Sequence, residues 1–203
     1  MKELLECPID REGFSRGYIE TLCNVLRNLP VDDLARAIRL LEQAFVKRCQ
    51  VFIAGNGGSA ATASHMANDF TKGVTQERGR GLRAISLSDN ISLITAIAND
   101  KGYNEVFADQ LLALGQPGDV LIVISGSGNS ANVVRVVEVA QEMQIRTVAL
   151  LGMGGGRVAD MADVSVVVPS DDYGPIEDVH MVFDHLITTY LRYWLAVGRQ
   201  AVS

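Results

Sequence analysis

Twice in this 203-residue chain a run of apolar, mostly β-branched residues stops at a glycine-rich turn and gives way to helical periodicity. The first stretch is residues 51–69, VFIAGNGGSAATASHMAND, and the second opens at residue 120 as VLIVISGSGNSAN. Residues 120–124 are apolar at every position, the pattern of a strand covered on both faces, as in a parallel sheet. Parallel neighbours must be joined by long crossovers, usually helices, and these are right-handed. A repeated strand–turn–helix unit therefore restricts the chain to a three-layer α/β fold, in which ligands gather at the carboxyl ends of the strands.

The remaining periodicity fills in that plan. Apolar positions Phe14, Tyr18, Leu22, Val25, Leu26 and Leu29 recur at helical spacing up to Pro30, and a second helix is expected over residues 31–48, with Leu34, Ile38, Leu41 and Phe45 on one stripe and Asp32 and Asp33 in its first turn. After the first strand and its helix come a glycine-basic linker at 79–81, a strand at 82–87, and a helix capped by residues 88–90 that runs to about 99. A polar turn at 99–103 leads to a helix at 105–114. Gln116-Pro117-Gly118-Asp119 is a turn by composition. A strand at 120–124, a helix at 131–143, a strand at 146–151, a glycine turn at 152–156, a short helix at 157–161 and a strand at 164–169 follow. A long helix over 175–197, with Pro175 in its first position, ends the plan. This is an αβα arrangement with a five-stranded parallel sheet and two leading helices. The length suits one domain over 1–203, divided into a helical pair (1–48) and an α/β core (49–203).

The net charge of −6 and a pI near 5.0 argue against broad binding to nucleic acid or membrane surfaces, so any anion site must be a local arrangement of dipoles. Cys7, Cys23 and Cys49 lack metal or redox spacing, the first ten residues lack a signal-peptide apolar core, and no apolar run is long enough to span a bilayer; the expectation is a reduced, cytoplasmic protein.

Two loops and two helices carry the candidate chemistry. Asn56, Gly57, Gly58 and Ser59 lie where a strand meets a helix start, whose unpaired N–H groups attract anions. A tight connection with Ser59 as helix cap would use the same residues. The glycine spacing matches neither the P-loop nor the dinucleotide fingerprint, so a smaller phosphate is the economical guest. Ser125, Ser127 and Ser130, with Gly126, repeat the design, their hydroxyls placed to surround phosphate oxygens. His65 and Asp69 share a helix face at i, i+4, as do Glu177, Met181 and His185 at intervals of four. Two imidazoles and two carboxylates suit acid/base work or a divalent metal with an open position. His180 and Asp184, also at i, i+4, suit a structural pair.

Taken together, residues 55–59, His65, Asp69, residues 98–100, 125–130, Asn132, 176–180 and His185 resemble the bacterial phosphoheptose isomerases of the sugar isomerase (SIS) superfamily across nearly the whole chain. The resemblance implies a homotetramer with active sites between subunits, converting sedoheptulose 7-phosphate to D-glycero-D-manno-heptose 7-phosphate for lipopolysaccharide or nucleotide-linked heptose. It places Ser59, Ser125, Ser127 and Ser130 on phosphate-binding positions, Asn56 and Asp100 on sugar-binding positions, Asp69 on a catalytic carboxylate and His185 on a catalytic histidine. It also places His65, Asp69, Glu177 and His185 on the zinc positions of some members. Departures from the family pattern are Asp69 for glutamate, Glu177 for glutamine, Gly126 for threonine, and Gly73 for arginine with Lys72 beside it. Rival readings within the superfamily are a non-catalytic binding protein of the replication initiator-associating type, a sugar-phosphate-sensing regulator, and an isomerase of another sugar phosphate.

Overall fold

A computed structural model describes residues 10–75 and 81–200. The chain opens with α1 (Arg11–Arg27), capped by the Asp10 carboxylate accepting from the Glu12 N–H, and α2 (Val31–Lys47), which starts immediately after Pro30. The first unit of the core is β1 (Gln50–Gly55) and α3 (Gly58–Asn68), followed by β2 (Arg83–Ser86) and α4 (Ile91–Asp100). Next come α5 (Ala108–Leu114), β3 (Val120–Ser125), α6 (Ala131–Glu142), β4 (Arg146–Leu151), α7 (Gly156–Met161), β5 (Val164–Val167) and α8 (Tyr173–Gln200).

The five strands form one parallel sheet in the order β2-β1-β3-β4-β5. Alternation along each strand splits the core in two. Val51 and Ile53 of β1 face a cluster shared with α2, α3 and α8, whereas Phe52 and Ala54 face one shared with α5, α6 and α7. Val25 of α1 joins the first cluster, so the leading helices pack into the same core as the sheet. β1 and β3 are neighbours, with Gly55 opposite Ile124, but the chain leaves them in opposite directions along the sheet, β1 toward β2 and β3 toward β4. That is the topological switch point, where a crevice opens beyond the strand ends. Both glycine-serine turns leave from it.

Several boundaries differ from the sequence expectation. α3 continues as a π-helical turn, Asp69–Gly73, carrying Lys72, for which the sequence pattern gives no sign. The helix expected over 105–114 is broken into a 3₁₀ turn, Tyr103–Glu105, and α5, while α4 runs on to Asp100. α8 begins at Tyr173, so Pro175 is its third residue rather than its first; its missing N–H still costs nothing, because the N–H groups of the first turn have no intrahelical partner. Of the linker expected at 79–81, residues 79 and 80 lie outside the described residues.

Candidate active site

The first turn reaches α3 through Gly57, whose backbone (φ 54°, ψ −121°) is open essentially to glycine alone. Gly57 is the N-cap and no side chain caps the helix, so Ser59 is not the cap but a buried residue of the first turn. In the second turn the Ser125 hydroxyl accepts from the Gly128 N–H at 3.1 Å and the Ser127 hydroxyl accepts from the Asn129 N–H at 3.3 Å. Gly128 has φ 61°, and a β-carbon there would come within 1.9 Å of the Gly155 carbonyl oxygen. Ser130 is the N-cap of α6 without a side-chain cap hydrogen bond.

These turns enclose a cavity of about 180 Å³ lined by Asn56, Ser59, Ser125, Gly126, Ser127 and Ser130, with Tyr173 and Glu177 from α8. Three helix starts, those of α3, α6 and α8, meet at it. No lysine or arginine is among the residues lining it. The four serines singled out in the sequence line this cavity, and Asn132, Tyr103 and Tyr173 complete its surroundings, the two tyrosines without any signal in the sequence spacing. Asn132 exchanges two hydrogen bonds with Asn56, at 2.8 and 2.9 Å, and the Tyr103 hydroxyl donates to the Asn56 Oδ1 at 3.0 Å, fixing that side chain at the rim. Tyr173 lays its ring over Gly126 so closely that a β-carbon at 126 would stand 2.8 Å from the ring; a larger residue at 126 would have to displace that ring. Asp100 does not line the cavity; it ends α4, exposed, accepting from the Asn99 side-chain amide at 2.8 Å, three residues before Tyr103.

The second grouping lies farther along α3 and α8. The buried stripe of α8, including Phe183, Ile187 and Leu191, fixes its rotation against the sheet, and α3 packs through Thr62, Ala63, Met66 and Ala67. That packing brings His65 and Asp69 against Asp184 and His185, with one donor atom of each within 4.8 Å of every other. The two histidine Nε2 atoms are 3.3 Å apart, and the His65 Nε2 is 3.6 Å from Asp69 Oδ2 and 3.8 Å from Asp184 Oδ2. Asp184 is wholly buried and its Oδ2 has no hydrogen-bond partner. Burial, then the neighbouring Asp69 charge, push its carboxyl up to about 6. On its Asp69 side the cluster meets a groove of about 540 Å³ that also receives Lys72 and Arg192.

Two expectations need correction. Glu177 does not join the cluster within this chain. It shares a helix face with His185 but sits two turns nearer the start of α8, about 12 Å away along the axis, and is not among the donors that meet in the cluster. Its carboxylate instead lies over Gly58, where a β-carbon would come within 2.7 Å of both oxygens. Nor is His180 paired with Asp184. It is buried with its Nε2 3.4 Å from the Leu151 carbonyl oxygen and its Nδ1 unpartnered, and burial holds its pKa down at about 4.

A family model for the SIS domain matches residues 17–152. The phosphoheptose isomerase of Helicobacter pylori (strain ATCC 700392 / 26695) is 44% identical over 156 residues, covering 77% of this chain and 81% of that protein. That of Aliarcobacter butzleri (strain RM4018) is 39% identical over 171 residues, covering 84% and 89%. The phosphoheptose isomerase GmhA of Neisseria gonorrhoeae superposes with a TM-score of 0.83 at 33% identity, covering 90% of this chain and 98% of that one. This chain belongs to the phosphoheptose isomerase family of SIS-domain proteins. As in the gonococcal phosphoheptose isomerase, the described chain is an α/β fold, here with an all-parallel five-stranded sheet. Within the phosphoheptose isomerase framework the His/Asp cluster could hold a metal ion. The donor set fits one, because a divalent cation would satisfy the orphaned buried carboxylate oxygen that the protein alone leaves without a partner.

Proposed function

We propose that this chain is an aldose–ketose isomerase that converts sedoheptulose 7-phosphate to D-glycero-D-manno-heptose 7-phosphate, working in the cytoplasm with one zinc ion per subunit. The observation that carries this reading is that the serine cavity and the His/Asp cluster occupy successive stretches of the same two helices. Six residues separate Ser59 from His65, about 9 Å along α3. An extended chain of six or seven carbons, with single bonds of about 1.5 Å laid in zigzag, spans that distance. The phosphoryl group then sits among Ser59, Ser125, Ser127 and Ser130 at the helix starts, while Asn56, held by Asn132 and Tyr103, meets sugar hydroxyls. Glu177, Gly57 and Gly58 form the wall between the two ends.

At the cluster, Asp69 takes a proton from C1 of the open-chain ketose as the C2 carbonyl oxygen gains one, giving the cis-enediol. The O1 proton then leaves and a proton returns to C2, so that C1 becomes the aldehyde. His185, beside His65 and Asp69, carries the protons on the oxygen side. A zinc ion held at the cluster would polarise the carbonyl and hydroxyl oxygens. A homotetramer fits the stripe Leu186, Tyr190, Tyr193 and Val197, exposed on α8 at coiled-coil spacing, and the exposed Phe14 and Ile19 of α1.

Incubating the zinc-loaded protein with sedoheptulose 7-phosphate and following the aldehyde by NMR tests the reading. Aldose should form with the wild type and not with Asp69→Asn or His185→Ala. A wild type silent with and without zinc would defeat it, and light scattering checks the tetramer.

A further inference from the structure

We propose that Tyr173 is a phosphate-recognising residue of this chain, and that Gly126 lacks a side chain because the tyrosine ring takes that place. The proposal rests on the reading of the serine cavity as a phosphate site and deepens it by naming a further donor and the residue that positions it. Gly128 is required by its own backbone, but Gly126 is not, because its φ lies outside the left-handed region. What its bareness admits is the first turn of α8. The Gly126 carbonyl oxygen accepts from the Gly152 N–H at 3.1 Å, so two glycines lie side by side just past the ends of β3 and β4. Tyr173 covers one and Ile176 the other: a β-carbon would stand 2.8 Å from Tyr173 Cε1 at position 126 and 2.5 Å from Ile176 Cδ1 at position 152. The turn is also held from its outer side, where the Tyr18 hydroxyl of α1 donates to the Asp178 carboxylate at 2.5 Å and the Asp172 carboxylate accepts from the Gly174 N–H at 3.3 Å.

Core packing accounts for Ile176, which is wholly buried, but not for Tyr173. The tyrosine is 54% exposed and lines the cavity, and among the described residues its hydroxyl has no hydrogen-bond partner. Burial therefore contributes little to keeping a ring there, and a guest gives the hydroxyl its use. The chemistry of that guest follows from the other walls. The Ser125 and Ser127 hydroxyls each accept a backbone N–H, which leaves their own protons free to donate. With no lysine or arginine among the lining residues, an anion here is held by helix starts and neutral donors, and hydrogen bonds to an ionised acceptor are the strong kind. Glu177, the one carboxylate lining the cavity, has its oxygens over Gly58 on the α3 side, whereas Tyr173 stands over the second turn. A phosphoryl group, whose terminal oxygens accept several hydrogen bonds at once, can use the tyrosine and the serines together.

The test measures binding apart from turnover. The full chain is titrated calorimetrically with heptitol 7-phosphate, which has no carbonyl to isomerise, and the same ligand is competed off with inorganic phosphate. Tyr173→Phe keeps the ring and should weaken both ligands about tenfold, the scale of one hydrogen bond to a charged group. Its melting temperature should equal that of wild type, because the hydroxyl bonds nothing else among the described residues. Gly126→Ala should push the ring aside and weaken both ligands to a similar degree. In the Tyr173→Ala chain the same glycine substitution should cost nothing further, since no ring remains to be displaced. Wild-type affinity in Tyr173→Phe, a loss for heptitol 7-phosphate without one for inorganic phosphate, or additive losses from Gly126→Ala and Tyr173→Ala would each overturn the proposal. Turnover of sedoheptulose 7-phosphate is followed separately. A chain that binds phosphate through Tyr173 yet isomerises nothing would defeat the proposed reaction and leave this pairing standing, whereas turnover with binding indifferent to Tyr173 would do the reverse.

Discussion

The serine cavity and the His/Asp cluster are built by different means. The cavity is made of turns, each specified within about six consecutive residues and brought together by adjacent strands. The cluster is made by two helices more than a hundred residues apart in sequence, and exists only while α8 keeps its rotation against α3. A binding end can thus be encoded locally, whereas the reacting end depends on the tertiary packing of the whole domain.

Substitutions should separate the two ends. The largest effect is expected at the cluster. Asp69→Asn should lower kcat by about a thousandfold, the scale of a lost general base, with little change in KM. A comparable rise in KM instead would place Asp69 in binding. Next comes the packing that holds the cluster. His180 is buried on α8, with a folded pKa of about 4 against 6.5 for the free side chain. Below pH 6.5 the unfolded chain takes up a proton that the folded chain refuses. Its stabilising contribution is therefore complete above about pH 6.5 and falls by up to about 3 kcal/mol as pH drops to 4. Urea midpoints across that range should show a steeper decline for wild type than for His180→Gln, and equal slopes would refute the point.

At the cavity the effects are smaller and of the other kind. Ser125→Ala removes a hydroxyl at the lining of the cavity and orphans the Gly128 N–H. It should raise KM about tenfold, on the order of 1.5 kcal/mol, with kcat nearly unchanged. The smallest effect is expected at the rim, where Tyr103→Phe loses one hydrogen bond to Asn56. A rise in KM of a few-fold, about 0.5–1 kcal/mol, is the expectation. Steady-state kinetics decides both, and a change confined to kcat in either variant would erase the distinction between the two ends.

The same division explains how much could be read from the sequence. Both glycine turns, their serines, and the strand at 146–151 are visible because turn chemistry and apolar runs act over a few residues. The π-helical turn after α3 and the break at 103–107 are not, since helical periodicity is nearly blind to one extra residue per turn. Glu177 shares a face with His185, but where its carboxylate rests, over Gly58, depends on side-chain packing that face periodicity does not record. Asp184 was open to discovery: it is an acid on the stripe Val179, Phe183, Ile187 and Leu191, where an apolar residue would be expected. Tyr173 reaches the cavity, and Tyr103 reaches Asn56 at its rim, through helix-start and loop geometry that spacing does not disclose.

The cavity's want of any lysine or arginine has a kinetic side. In a chain of net charge −6, with helix starts but no basic side chain among the described residues lining the cavity, attraction of a dianion is short-ranged and recognition falls to contact. Added salt, which screens that net negative charge, should therefore not slow the encounter, unlike that of enzymes whose basic funnels lose their pull as ionic strength rises.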